Sequence, residues 1–165
     1  MNTSAYCFIS LYQSYPSYHG ASDVSYNLFK SWPNLNKRLI QITNSKNNKK
    51  HIYNIKKKAT PIGTLVNIFC ILYKVKNYLK KFDKKIIVVE GASWAGYTFL
   101  IIILSKIFIR NISIIYHAHN LEYEVRKLKN NFLIAWLTFY FEKYIYQNCI
   151  GTSVSKKDQN FVSKI

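Results

Sequence analysis

Acidic residues are scarce in this 165-residue chain: seven Asp and Glu stand against 24 Lys and Arg, a formal charge of +17. Such an imbalance puts a positive field around much of the surface and implies anionic partners. Abundant Lys, Asn and Ile are also what AT-biased coding produces without selection for any ligand, so charge alone names no partner. Cysteine is equally sparse. Cys7, Cys70 and Cys149 are odd in number, far apart and set in apolar runs. That excludes a zinc-type cysteine pair or a disulfide framework and predicts buried thiols in a reducing cytoplasm. Met1 to Tyr12 has no basic stretch followed by a long apolar one, so secretion is not expected. The longest apolar run, Tyr97 to Phe108, is interrupted by Ser105 and Lys106. It falls short of the roughly 20 residues that span a bilayer and predicts a buried helix instead. No fixed-period repeat or low-complexity block is present.

What is there is material for one core: 49% of residues are hydrophobic and 16% aromatic, enough for a single domain over residues 1–165. Strand-like and helix-like stretches alternate. Ala5 to Leu11 predicts a strand, Gln13 to Gly20 a turn-rich loop, and Ser22 the cap of a helix over Ser22 to Phe29. Arg38 to Ile42 and His51 to Ile55 predict two short strands on either side of the polar Thr43 to Lys50 loop. Thr60-Pro61 opens a helix whose inner face is expected to hold Ile62, Leu65, Phe69, Leu72 and Leu79. Lys85 to Gly91 reads as a buried strand, Trp94 to Ile109 as a helix and Ile112 to Tyr116 as the next strand. Leu133, Trp136, Leu137, Tyr140, Phe141 and Tyr144 recur at helical spacing before a short strand at Cys149 to Thr152. Ser155-Lys156-Lys157-Asp158 has the form of a capping box, so a further helix is expected to start as the chain stops at Ile165. This alternation specifies an α/β fold, a Rossmann-like doubly wound parallel sheet. The only charge run, Asn44 to Lys58, reads either as a solvated loop beside an edge strand or as a contact for phosphate or lipid headgroups.

The most informative segment is Ile112 to Glu124. An apolar β-branched run empties into His117, His119, Asn120, Glu122 and Glu124. In an open parallel sheet the carboxyl end of a strand is where ligands bind. Residues two apart on a strand face the same way, so His117 and His119 are expected to share one side of a cleft. Neutral imidazoles near pH 7 suit acid-base work or contact with a ligand, and core or capping roles remain open for both. A His-x-His metal site lacks a third ligand fixed by the sequence, and no metal is expected. Glu122 and Glu124 open a helical segment, Leu121 to Leu128, where they meet the positive end of the dipole. Glu122 is the better site candidate of the two, with pairing to Arg126 across one turn as its structural alternative. Glu90 ends a buried strand, where a carboxylate needs partners: the backbone amides of Gly91 to Ser93, or a hydroxyl brought by a ligand. Trp94 and Tyr97 either stack on a ligand or belong to the core.

Taken in order, these pieces resemble the N-terminal domain of family 4 glycosyltransferases, retaining enzymes of the GT-B architecture that use nucleotide-sugar donors. The resemblance runs over essentially the whole chain. It rests on Ile9-Ser10-Leu11 leading to His19-Gly20-Ala21-Ser22-Asp23, on Glu90 to Gly96, on Tyr116 to Asn120 with the following Leu121-Glu122-Tyr123-Glu124, and on Gly151 to Asp158. Many family members have paired glycines where this chain has Gly20-Ala21. The C-terminal domain that carries the family's nucleotide-binding surface and paired glutamates is not in this sequence.

The resemblance implies one half of a GT-B enzyme, catalytic as a family and inactive as this chain alone. His119 and His117 would serve catalysis, Asn120, Glu122, Glu90 and Trp94 would bind the acceptor, and His19, Gly20 and Ser22 would lie under the donor phosphates. The implied partners are a nucleotide sugar, consumed as a substrate with no cofactor, a saccharide or lipid-linked acceptor, and a separate or missing donor domain. The implied setting is the cytoplasm, with peripheral contact at the inner face of the membrane left open and synthesis of cell-surface polysaccharide or glycolipid as the context. Two other classes stay in view: the acceptor-anchoring or membrane-anchoring subunit of a split enzyme, and a basic nucleic-acid-binding domain. The latter has no recognisable RNA-binding or helix-turn-helix motif, and no specific nucleic acid is expected.

Overall fold

The computed structural model describes residues 3–33, 36–46, 49–58, 60–91, 94–129, 132–153 and 160. The elements in chain order are β1 Ser4–Ser10, α1 Gly20–Ser31, β2 Lys37–Thr43, β3 Ile52–Lys56, α2 Pro61–Leu79, β4 Lys84–Glu90, α3 Ala95–Phe108, β5 Ile112–Ala118, α4 Glu122–Leu128, α5 Phe132–Asn148 and β6 Ile150–Ser153. The six strands form one sheet in the order β3-β2-β1-β4-β5-β6, and every pairing is parallel. Because all strands run the same way, their carboxyl ends share one edge, and the chain direction reverses beside β1. This is the doubly wound α/β fold expected from the alternation of elements. The helix expected from Ser155 lies outside the described residues.

Period-two alternation sorts the side chains between the two faces. Ala5, Cys7 and Ile9 of β1, with Ile87 and Val89 of β4 and Ile114 and Tyr116 of β5, pack against α2, α3 and α5 in the larger core cluster. Phe8 and Val88 point the other way and meet α1 through Phe29. Central strands buried on both faces explain why β1 and β4 read as unbroken apolar runs. Burial pushes the Cys7 thiol far above its usual range. Cys70 is exposed and Cys149 half-buried, so the expectation of three buried thiols holds for Cys7 alone.

Two helices sit differently from their predicted registers. α2 buries Ile68, Ile71, Leu72, Val75 and Leu79 and leaves Ile62, Leu65 and Phe69 exposed. The helix is apolar nearly all round, so periodicity alone does not choose its inner face. The sheet takes the Ile- and Val-rich side, with Asn67 beside it. α5 likewise presents Ala135, Thr138, Glu142 and Ile145 inward, while Leu133, Trp136 and Tyr140 are exposed. Small residues at Ala135 and Thr138 allow the close approach that aromatic rings would prevent.

The loop after β1 is anchored by one buried amide. Gln41 of β2 is fully buried; its Oε1 accepts from the backbone N–H of Ser14 at 2.8 Å and of Tyr15 at 2.7 Å. Its Nε2 donates to Tyr15 O at 2.6 Å and to Asn54 Oδ1 at 2.8 Å. Gln41 therefore fixes residues 12–16 over the carboxyl edge. Gln41→Leu keeps the volume but orphans two amide donors, and should cost about 2–4 kcal/mol of unfolding free energy. Urea denaturation checks this, and a loss below about 0.5 kcal/mol would show that the loop is held by other means.

Candidate active site

Glu90 is the last residue of β4, and its register partner on β5 is His117. Both face the α1 side, and two residues beyond His117, past the end of β5, His119 returns to the same side. Glu90 is 1% exposed, and its Oε2 lies 2.9 Å from His119 Nε2. Ser25 of α1 donates its hydroxyl to the same Oε2 at 2.9 Å. The Tyr12 hydroxyl is in short contact with Ser25 Oγ. Burial, and then the charge of Glu90, raise the Tyr12 pKa to about 12. Tyr12 thus stays a neutral donor across the physiological range. The result is a connected cluster from three strand tips and one helix: Tyr12 after β1, Ser25 on α1, Glu90 on β4 and His119 after β5.

This arrangement has chemical consequences. A carboxylate holding Nε2–H of an imidazole selects that tautomer and leaves Nδ1 unprotonated, able to accept a proton or a hydrogen bond. Among the described residues, every hydrogen bond to the His119 ring falls on Nε2. The side chain is 10% exposed, so the ring is not fully closed off from solvent. Oε1 of Glu90 is buried with no hydrogen-bond partner among the described residues. A buried acceptor left that way costs about 1–3 kcal/mol, which a donor brought by a ligand would recover.

His117 lies beside this cluster, its ring T-shaped to His119 with centroids 5.4 Å apart and its Nδ1 2.9 Å from Thr152 Oγ1 on β6. Burial lowers its pKa below the ordinary 6.5, partly offset by the charge of Glu90. Glu90, His117 and His119 each offer a ligand atom, all within 4.8 Å of one another, so the group has the composition to hold a divalent cation as well.

The remaining predicted residues divide. Gly20 opens α1 with open space around the position its Cβ would take. The cap of α1, however, is His19 rather than Ser22. His19 Nδ1 accepts from Ser22 N–H at 3.0 Å, while Ser22 Oγ accepts from His19 N–H at 3.0 Å and donates to His19 O at 2.7 Å. This reciprocal box starts the helix two residues earlier than predicted and occupies the hydroxyl and amide of Ser22. Asn120 is exposed just past the strand tip. Glu122 is engaged by Arg126, Nε to Oε1 at 2.7 Å, the one-turn pairing that was its alternative. Trp94 caps α3, donates Nε1–H to Thr138 Oγ1 at 3.2 Å and packs edge-on to Tyr97 and Phe141. Its half-buried ring packs between α3 and α5.

Gly91 is required for a different reason than ligand approach. A Cβ there would lie 2.6 Å from the Tyr116 hydroxyl, and its N–H donates to His117 O at 2.8 Å. It lets β4 end tightly against β5. Searches against protein-family models and curated proteins return no match to this chain.

Sequence reading did not single out Tyr12, Ser25, Thr152 or Glu142. Glu142 carried a signal, a lone acid in an aromatic helix. It is buried and accepts from the N–H groups of Glu122 at 2.8 Å and Tyr123 at 2.9 Å, tying the start of α4 to α5. Tyr12 and Ser25 had none, because hydroxyls at a strand end and mid-helix are common.

The lowered pKa of His117 sets a pH dependence. The folded state binds the proton less readily than the unfolded chain, so this residue's stabilising contribution is complete above pH 6.5 and declines as pH falls below it toward the folded value. NMR titration should place the His117 midpoint below 6.5, and His117→Asn should flatten the acid side of the stability profile. A midpoint at or above 6.5 would show that Glu90 outweighs burial.

Proposed function

We propose that this chain is the acceptor-side half of a retaining glycosyltransferase that takes its donor from a nucleotide sugar. The observation that carries the reading is the Glu90–His119 pair at the carboxyl edge of a doubly wound sheet, close to the amino end of α1. Of the segments that carry the resemblance, those after β1, at the end of β4 and after β5 supply residues at that edge.

In this reading the acceptor hydroxyl sits against His119. Glu90 fixes the ring and supports positive charge on it, and Nδ1 orients the hydroxyl or takes its proton as the oxygen bonds to the anomeric carbon and the nucleotide departs. Tyr12 and Ser25 hold the Glu90 carboxylate in place. The donor phosphates lie toward the start of α1, drawn by the helix dipole and the open space at Gly20. Because Ser22 and the Nδ1 of His19 are engaged in the cap, their part there is to shape the turn. The nucleotide itself is held by a donor-binding domain, joined to this chain or supplied by a second polypeptide. The acceptor is a saccharide or a lipid-linked saccharide, and the reaction proceeds on the cytoplasmic side.

The test uses this chain together with a donor-binding domain. His119→Ala should lower glycosyl transfer per folded molecule by about 10²-fold or more, the scale of one positioned acid-base or polar contact. Ser25 keeps its bond to Glu90 in that variant, but the buried carboxylate loses its imidazole partner, so stability falls as well and turnover is compared per folded molecule. Unchanged turnover per folded molecule, with or without a large loss of stability, would make His119 a structural residue and remove the assignment.

A further inference from the structure

Between Asp23 and Asp83 the sequence contains no acidic residue and thirteen Lys and Arg. The fold gathers this stretch on one side of the sheet, in β2, the edge strand β3 and α2. There α2 carries an outward stripe at helical spacing: Ile62 is 75% exposed, Phe69 53% and Tyr73 70%, with Leu65 and Val66 also exposed between them. α2 follows β3, so its first turns lie at the carboxyl edge, the edge that bears Glu90 and His119. Immediately before it, Lys56 and Lys57 join Thr43, Ser45, Lys46 and Asn54 around an open pocket of about 450 Å³. The apolar stripe thus begins, at Ile62, a few residues after the basic pocket and runs from that edge along the outside of α2.

We infer that this corner is a docking surface for an anionic lipid bilayer, with the stripe of α2 entering the headgroup–acyl boundary and the pocket at Lys46, Lys56 and Lys57 taking a lipid phosphate. A helix with exposed aliphatic and aromatic residues, preceded by Lys56 and Lys57 and carrying Lys74 and Lys76 in its last turns, matches an interfacial segment, and the basic residues add the attraction of an anionic leaflet. The alternatives fit less well. A second copy would bring two uniformly basic faces together. A nucleic acid would satisfy the lysines and leave Ile62, Leu65 and Val66 with nothing to pack against. No described helix is long and apolar enough to cross a membrane, so contact through this surface would be peripheral. The inference does not depend on the transferase reading, and its test measures binding and not transfer; if both hold, docking brings a lipid-linked acceptor to the edge where His119 lies.

The experiment is co-sedimentation with vesicles of phosphatidylcholine alone and of phosphatidylcholine with about one-third phosphatidylglycerol, at low and high salt. The chain should pellet with the anionic vesicles only, less so at high salt, and Phe69→Trp should give blue-shifted emission on binding. Ile62→Ser with Phe69→Ser, both at exposed positions, should weaken binding about tenfold or more without altering the circular dichroism spectrum, and Lys56→Gln with Lys57→Gln should do the same. Three results would overturn the proposal. The first is no binding to anionic vesicles. The second is a serine pair that binds as tightly as the unaltered chain, which would leave only nonspecific charge. The third is an oligonucleotide duplex that binds as tightly as the anionic vesicles and competes with them equally in both forms.

Discussion

A carboxylate closed off at the end of a central strand is the constraint around which this domain is arranged. An ionised Glu90 at 1% exposure would be strongly destabilising without charge-assisted partners. The fold supplies them from two directions: Ser25 on α1 and His119 at the tip of β5. Each partner has its own support. Gln41 holds the loop that delivers Tyr12, the His19–Ser22 box sets where α1 begins and so where Ser25 falls, and Gly91 lets β4 and β5 end side by side. The electrostatic need of one residue thereby joins three strand tips and a helix into one site.

The same logic explains how a chain with so few acids uses them. Glu90 is buried in the cluster, Glu142 receives two amides at the start of α4, Glu122 pairs with Arg126, and Asp83 accepts from the N–H of Thr3 at 3.2 Å. Acids with internal partners leave the surface to lysine. β2, β3 and α2 themselves hold no acidic residue, and some of the lysines here fold back over aromatic rings, as Lys49 does at 4.1 Å from the Tyr15 centroid and Lys74 at 5.2 Å from that of Tyr53.

Much of the architecture was legible in the sequence because buried parallel strands announce themselves. Runs such as Lys85 to Glu90 and Ile112 to Tyr116 have no other stable home, and helical segments between them force parallel pairing. The site's location followed from that alone, since chemistry-bearing residues sat at predicted strand ends. Helix rotation was not legible: α2 and α5 are apolar on several faces, and only the shape of the opposing sheet selects which face turns inward. Glu90 was recognised as needing partners, yet their identity was hidden, because Ser25 lies 65 positions away and nothing local marks it. For Glu122 and Trp94 the structural alternatives, an Arg126 pair and a ring packed between helices, are what the fold displays. The cap at His19 was missed because imidazole is an uncommon N-cap, whereas Ser22 is a preferred type.

The central claim is that the Glu90 carboxylate fixes the His119 ring and thereby makes the site. Long-range ¹⁵N–¹H correlation spectra of the histidine side chains, recorded for the unaltered chain and for Glu90→Gln above the histidine titration range, test it most directly. His119 should carry its proton on Nε2 in the unaltered chain, with Nδ1 unprotonated, and Glu90→Gln should mix the tautomers or broaden the signals. A His119 protonated on Nδ1, or spectra that Glu90→Gln leaves unchanged, would contradict the claim.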